Sequence, residues 1–295
     1  MTTPDVEFPL ARAQSVIDVA LLEDLGPDEP LDVTTFATIP VGQLSSARLV
    51  ARAPGVVAGV RVVELVLTAV TDRLGGAPVA VDLCVDDGDG VGRDDVIATL
   101  TGPARTMLVA ERTILNLLSR LSGVATHTRL WADALAGTGV RVLDTRKTTP
   151  GLRALEKYAV WAGGGGNKRM GLYDVAMVKD NHKLAAGSIS AAFEAVRSRY
   201  PDVPIEVEAT TTEEALEAVS AGARFLLLDN MTAQELAATV LAVRGTNQVV
   251  ELEATGGLTL ESARDYAMTG VDYLSVGGLT HSSPILDIAL DIMAE

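Results

Sequence analysis

The stretch VPIEVEATTTEEALEAVSAGARFLLLDN, residues 203–230, decides how the second half of the chain folds. Ile205–Val207 and Phe225–Leu228 are short strand-like runs, and Thr212–Ala221 between them carries apolar residues at helical spacing. A strand, a helix and a second strand in succession imply parallel strands joined by a crossover helix. Outward from this unit the pattern repeats. Strand-like runs fall at Val142–Thr145, Val175–Val178, Val249–Leu252 and Tyr273–Val276, with amphipathic segments at Ser190–Arg199, Ala233–Arg244 and Leu260–Thr269. Such repetition fits a barrel-like α/β domain, complete or open, better than a sandwich. A doubly wound sheet is the alternative.

The first half reads differently. Ala13–Asp24 has helical apolar spacing, stopped by Gly26, Pro27 and Pro30. Ala47–Ala51, Gly55–Val60, Val79–Val85 and Val96–Leu100 are short β-like runs, and Val62–Val70 is a helix among them. The acidic turn Asp86–Gly90 lacks the twelve-residue calcium-loop pattern and reads as a hairpin tip. Met107–Leu121 is a strong helix containing Glu111, Arg112 and Arg120. From spacing alone Arg112 is either a structurally paired arginine, the favoured reading, or one presented to an anion.

Composition bounds the function. With 295 residues, 48% of them hydrophobic, the chain can bury a large core, built of Ala, Val and Leu because aromatics make up only 4%. No apolar run approaches a membrane span, and the opening MTTPDVEFPLARAQ lacks the features of a secretory signal. Cys84 is the only cysteine, which excludes an intrachain disulfide, and three histidines beside it argue against a zinc cage. The expectation is a cytoplasmic protein. Its net charge of −15 argues against nucleic-acid or membrane partners. Against that background Asp144–Lys183 holds eight basic and four acidic residues. Cations concentrated in this way suggest a site for a small, highly charged anion. A solvated basic face is the plainer alternative.

In parallel α/β domains the active site lies at the carboxyl ends of the strands. The residues following the predicted strands are Arg146 and Lys147; Lys179, Asp180 and Asn181; Glu208; Asp229 and Asn230; Glu253, Thr255, Gly256 and Gly257; and Gly277 and Gly278. Cations and glycine amides are phosphate ligands, and each glycine pair precedes a predicted helix. Either pair could also be an ordinary tight turn. Glu208 and Asp229 are hard oxygen ligands suited to Mg²⁺ held together with a polyphosphate, or else ion-pair partners of the nearby cations. Arg146, Arg169 and Lys179 exceed the needs of one phosphate, so a second, carboxylated substrate is expected. There is no Walker A sequence, and Gly163–Gly166 does not fit a dinucleotide fingerprint.

The ordered segments DTRKTTPGLRALEKYAV, GGGGNKR, KDNH, LLLDNM, LEATGG and TGVDYLSVGGLTHS resemble those of quinolinate phosphoribosyltransferase, and ALLEDLG, ARAPGVVAGV and ERTILNLLSRLSGVAT upstream are similar too. The resemblance covers nearly the whole chain. It implies an N-terminal α/β sandwich-like domain (residues 1–118), an open, incomplete α/β barrel (119–283), and a C-terminal helix (284–295) packing near the first domain. It implies transfer of phosphoribose from phosphoribosyl diphosphate to quinolinate, with Mg²⁺ and no organic cofactor. The implied assembly is a homodimer in which Arg112 reaches the partner's site. Arg146, Lys168, Arg169 and Lys179 then correspond to acceptor-binding positions. Lys147 stands near phosphoribosyl diphosphate, Glu208 and Asp229 are metal and ribose carboxylates with catalytic roles alongside Lys147, and Thr255, Gly256, Gly257, Gly277 and Gly278 form phosphate-binding turns.

The chain also departs from the family pattern AVRxGGGxNHR. It reads AVWAGGGGNKR, with Trp161 in place of arginine and Lys168 in place of histidine, and Ala209 follows Glu208 where valine is usual. A paralogous enzyme using another heteroaromatic acid, and a non-catalytic binding protein on the same fold, are the alternative readings.

Overall fold

The computed structural model describes residues 6–28 and 31–293. The alternation read from Arg141 onward forms one parallel six-stranded sheet. Its spatial order is Arg141–Leu143, Tyr273–Ser275, Glu251–Thr255, Phe225–Asp229, Ile205–Ala209 and Ala176–Val178. The first two of these strands in the chain therefore occupy opposite edges, and no ladder joins them among the described residues. Six strands rather than eight leave the barrel open. Helices Thr212–Ala221 and Ala233–Arg244 form where the apolar spacing placed them, each capped by a threonine hydroxyl, from Thr211 and Thr232. The predicted Leu260–Thr269 helix shrinks to Ala263–Ala267.

The free edge of Arg141–Leu143 is met by a single bridge from Leu143 to Gly166. Gly166 N donates to Val142 O at 2.8 Å, and Asp144 N donates to Gly166 O at 3.1 Å. A Cβ on Gly166 would stand 2.7 Å from Leu143 Cδ2, so a side chain here would have to displace that methyl group.

A second compact unit is built on a four-stranded antiparallel sheet in the order Ile288–Met293, Leu44–Ala51, Val96–Pro103, Ala80–Leu83. Helix Leu10–Leu25 buries Ala13, Ile17, Leu21 and Leu25 on one stripe and stops at Gly26, which adopts φ 84°. Pro30 lies outside the described residues. Of the Gly55–Val60 run only Gly55–Val56 is a strand. The next residues turn toward helix Arg61–Leu74, and Asp87 accepts hydrogen bonds from Gly59 N at 2.6 Å and Val60 N at 2.9 Å. The acidic turn thus holds a helix entry as well as reversing the chain. Helix Ala104–Ala134 runs for 31 residues, starting just before the predicted segment and continuing well past its end at Leu121.

The C-terminal helix expected over 284–295 is not present in the described residues. Ile288–Met293 is a strand paired antiparallel to Leu44–Ala51, with Leu290 opposite Leu49. Its apolar spacing suits either a helix or a strand. The unpaired edge of Leu44–Ala51 decides the matter, because backbone groups left there would lack partners. Arg52 Nη2 fixes the register end, 2.6 Å from Asp291 Oδ1.

The two units are interleaved in sequence rather than divided near residue 118. The barrel unit comprises residues 130–147 and 165–278, and the antiparallel unit takes up to residue 129, then 148–164, then 279 onward.

Candidate active site

A cavity of about 550 Å³ opens at the carboxyl ends of the six parallel strands. Each strand end contributes to it. The segment after Arg141–Leu143 supplies Thr145, Arg146 and Lys147, and the loop after Gly166 adds Lys168 and Arg169. Lys179 follows Ala176–Val178, while Glu208, Asp229 and Thr255 lie within or at the ends of their own strands. Parallel strands with period-two alternation explain why. Glu206 and Glu208 are two residues apart on one strand and face the same side, as do Leu227 and Asp229 on the next.

Arg146, Lys147, Lys168, Arg169 and Lys179 all line this cavity. Arg146 Nε is buried without a hydrogen-bond partner among the described residues. Arg169 donates from Nη1 to Val175 O at 2.8 Å. Its pKa is lowered by burial and then by the charge of Arg146. Asp174 keeps the loop in place by accepting from Met170 N at 2.6 Å and from Gly171 N and Val175 N at 3.1 Å each. Asp144, fully buried, accepts from Asn167 Nδ2 and from Lys168 N, both at 2.8 Å, and so anchors the GGGGNKR loop from within.

Carboxylates line the same cavity. Glu208 Oε2 is 2.6 Å from Lys179 Nζ. The Asp229 pKa is raised, first by burial and then by the charge of Glu208. Two carboxylates that oppose each other's ionisation suit a shared cation. No group of three or more potential metal ligands exists among the described residues, so any divalent ion here would take its remaining ligands from water and substrate oxygens.

At Gly256 and Gly257 the backbone takes φ 94° and 61° in succession. Asn230 also has positive φ, at 56°, and its N donates to Thr255 O at 3.0 Å. The helix expected to follow this pair over Leu260–Thr269 begins only at Ala263. The pair offers loop amides rather than a helix terminus. Gly277 and Gly278 are not among the cavity-lining residues, and Gly278 opens a helix of only four residues.

Lys168 lines the cavity, but its ammonium is engaged. Nζ lies 2.8 Å from Glu206 Oε1 and 2.7 Å from Glu253 Oε1, and 5.9 Å from the Phe225 ring centroid. Burial would lower the lysine's pKa, but the two carboxylates outweigh it and the net shift is upward. The Glu253 pKa is raised by burial, opposed by Lys168. Glu206 was not singled out from the sequence. The signal was present, since a strand buried on both faces carries glutamates two residues apart.

Arg112 is exposed on the Ala104–Ala134 helix, makes no ion pair among the described residues and is not among the lining residues. The structural pairing favoured for it belongs instead to Arg120, whose Nη2 is 2.8 Å from the buried Glu156 Oε1. Trp161 is half-buried and packs against Tyr158, with ring centroids 5.6 Å apart.

Two family models match the chain. Residues 32–122 match the N-terminal domain, and residues 124–291 the C-terminal domain, of quinolinate phosphoribosyl transferase. The chain belongs to the quinolinate phosphoribosyltransferase family. Among relatives, the nicotinate-nucleotide pyrophosphorylase [carboxylating] of Mycobacterium leprae is 46% identical over 98% of this chain and 99% of its own. The probable nicotinate-nucleotide pyrophosphorylase [carboxylating] of Bacillus subtilis is 42% identical over 95% of this chain and 93% of its own. A solved structure of NadC from Streptococcus pyogenes superposes with a TM-score of 0.89 at 32% identity, covering 98% of this chain and 100% of that one. As a quinolinate phosphoribosyltransferase family member the chain has the expected architecture, an open parallel barrel together with an antiparallel-sheet unit.

Proposed function

We propose that the protein transfers the phosphoribosyl group of phosphoribosyl diphosphate to quinolinate and releases carbon dioxide, forming nicotinate mononucleotide and diphosphate. The observation that carries this is Arg146, with its buried and unpartnered Nε, lining one cavity together with Arg169, Glu208 and Asp229. The guanidiniums suit a dicarboxylate, and the carboxylates suit a ribose and a polyphosphate-bound cation.

In this mechanism Arg146, Arg169 and Lys179 hold the acceptor carboxylates so that the pyridine nitrogen faces C1 of the ribose. The nitrogen's lone pair forms the new N–C1 bond while the C1–O bond to diphosphate breaks, the electron pair leaving with diphosphate. Asp229 and Glu208 stabilise positive charge developing on the sugar. Lys147 and the amides of Gly256 and Gly257 hold phosphate oxygens. Glu208 and Asp229 would hold Mg²⁺, which when bound offsets the charge of the leaving diphosphate. The ring nitrogen is then cationic, so the C2–carboxylate bond breaks with its electrons left at C2, and a proton from solvent replaces carbon dioxide. Most of the acceleration comes from positioning and fixed charge.

The reading extends to a cytoplasmic homodimer in which Arg112 completes the partner's site; its support is an arginine left exposed on the Ala104–Ala134 helix among buried apolar neighbours. No helix among the described residues is long and apolar enough to cross a membrane. Incubation of purified protein with quinolinate, phosphoribosyl diphosphate and Mg²⁺ tests the activity. Nicotinate mononucleotide and carbon dioxide should appear in equal amounts, and their absence would refute it.

A further inference from the structure

Lys168, which lines the cavity, forms a buried triad with Glu206 and Glu253, one ammonium between two carboxylates. With all three groups ionised, the triad carries a net charge of −1. Its field reaches the acceptor cations, since Glu206 is one of the charges acting on Arg169, together with Arg146 and Asp174. A lysine placed to grip a substrate carboxylate would direct its donors into the open cavity. Here two strong acceptors from two different strands draw the ammonium toward the sheet.

We infer that Lys168 is a positioning residue: it offsets Glu206 and Glu253 so that a dicarboxylate can approach Arg146 and Arg169, and it is not itself an acceptor ligand. This rests on the acceptor reading above. Without the ammonium, two buried carboxylates would face an incoming dianion. Like charges a few ångströms apart in a partly buried site would then repel it by roughly ten- to a hundredfold in affinity.

The test separates the charge of the triad from the presence of lysine. Quinolinate is the probe, at mildly alkaline pH so that the glutamates are ionised. Its Kd is measured by calorimetry, and its KM and kcat by nucleotide formation, in the parent, Lys168→Met, Lys168→Met with Glu253→Gln, and Glu253→Gln alone. If charge governs, Lys168→Met weakens Kd and KM by roughly ten- to a hundredfold with a much smaller change in kcat. The double variant restores the net charge and should return to within about threefold of the parent. Glu253→Gln alone should bind at least as tightly as the parent. If lysine is instead a direct ligand, the double variant stays as weak as Lys168→Met, and the inference falls.

Should Lys168→Met fail to fold because it strands two buried charges, the double variant against the parent still decides. A parent that binds quinolinate but forms no nucleotide overturns the proposed activity alone, because the order of Kd values still tests the triad. A parent that binds no quinolinate overturns both.

Discussion

Lys179 Nζ sits 2.6 Å from Glu208 Oε2, closing a cation at the end of one strand onto a carboxylate of its neighbour. In the proposed mechanism these two groups serve different substrates, so the contact must be shared or broken on binding. Lys179→Met should therefore raise the quinolinate KM by about tenfold, the loss of one charged contact. It should also lower the Mg²⁺ concentration needed for half-maximal rate, because Glu208 is released. Steady-state titrations of both ligands check this, and a rise in the Mg²⁺ requirement would contradict it.

Gly256→Ala should be severe. At φ 94° an added Cβ would meet the Asn230 side chain and stand 2.8 Å from Asn230 N. The left-handed backbone alone costs about 1–2 kcal/mol for a residue with a side chain, before the clash is counted. A lowered thermal midpoint and a raised KM for phosphoribosyl diphosphate are expected. Gly257→Ala, with nothing within 4 Å of its Cβ, should be milder despite its φ of 61°.

If Arg112 serves a partner's site, mixing inactive Arg112→Ala with inactive Lys147→Ala should restore activity. Mixed dimers would contain one site lacking both lesions. Subunit exchange is followed separately by a labelled chain. Exchange without recovered activity would count against a shared site.

His127 gives a stability prediction with a definite sign. Its Nδ1 is 2.9 Å from Ser283 Oγ, whose own proton goes to Leu279 O at 2.6 Å, so His127 is the donor. Burial lowers its pKa below the ordinary 6.5. The unfolded chain then binds the proton more readily than the folded one. Stability is whole above about pH 6.5 and is lost as pH falls through that value toward the lowered one. Thermal midpoints measured down to about pH 5 should fall more for the parent than for His127→Asn, which keeps a donor but does not titrate in that range. Equal losses would refute the assignment.

Much of the barrel and its site was legible because local pattern and sheet geometry agree. Thr212–Ala221 and Ala233–Arg244 are the helices that apolar spacing predicts. Arg146, Lys147, Arg169, Lys179, Glu208, Asp229 and Thr255 line one cavity because strand ends in a parallel sheet converge. What was not legible depended on partners distant in sequence. Lys168 is claimed by glutamates 38 and 85 residues away, which no local pattern announces. The final strand is selected by the edge it completes, and its own spacing allows a helix equally well.

That final strand has a consequence for how the protein is made. Arg52 and Asp291, which lock the strand to its neighbour, are 239 residues apart. At a synthesis rate of roughly 5–20 residues per second, the Leu44–Ala51 edge emerges from the ribosome roughly 10–50 seconds before its partner exists. Throughout that interval a nascent chain presents an open β-edge to its surroundings. A chaperone that shields this edge should raise the yield of folded protein, and ribosome stalling upstream of Ile288 should lower it.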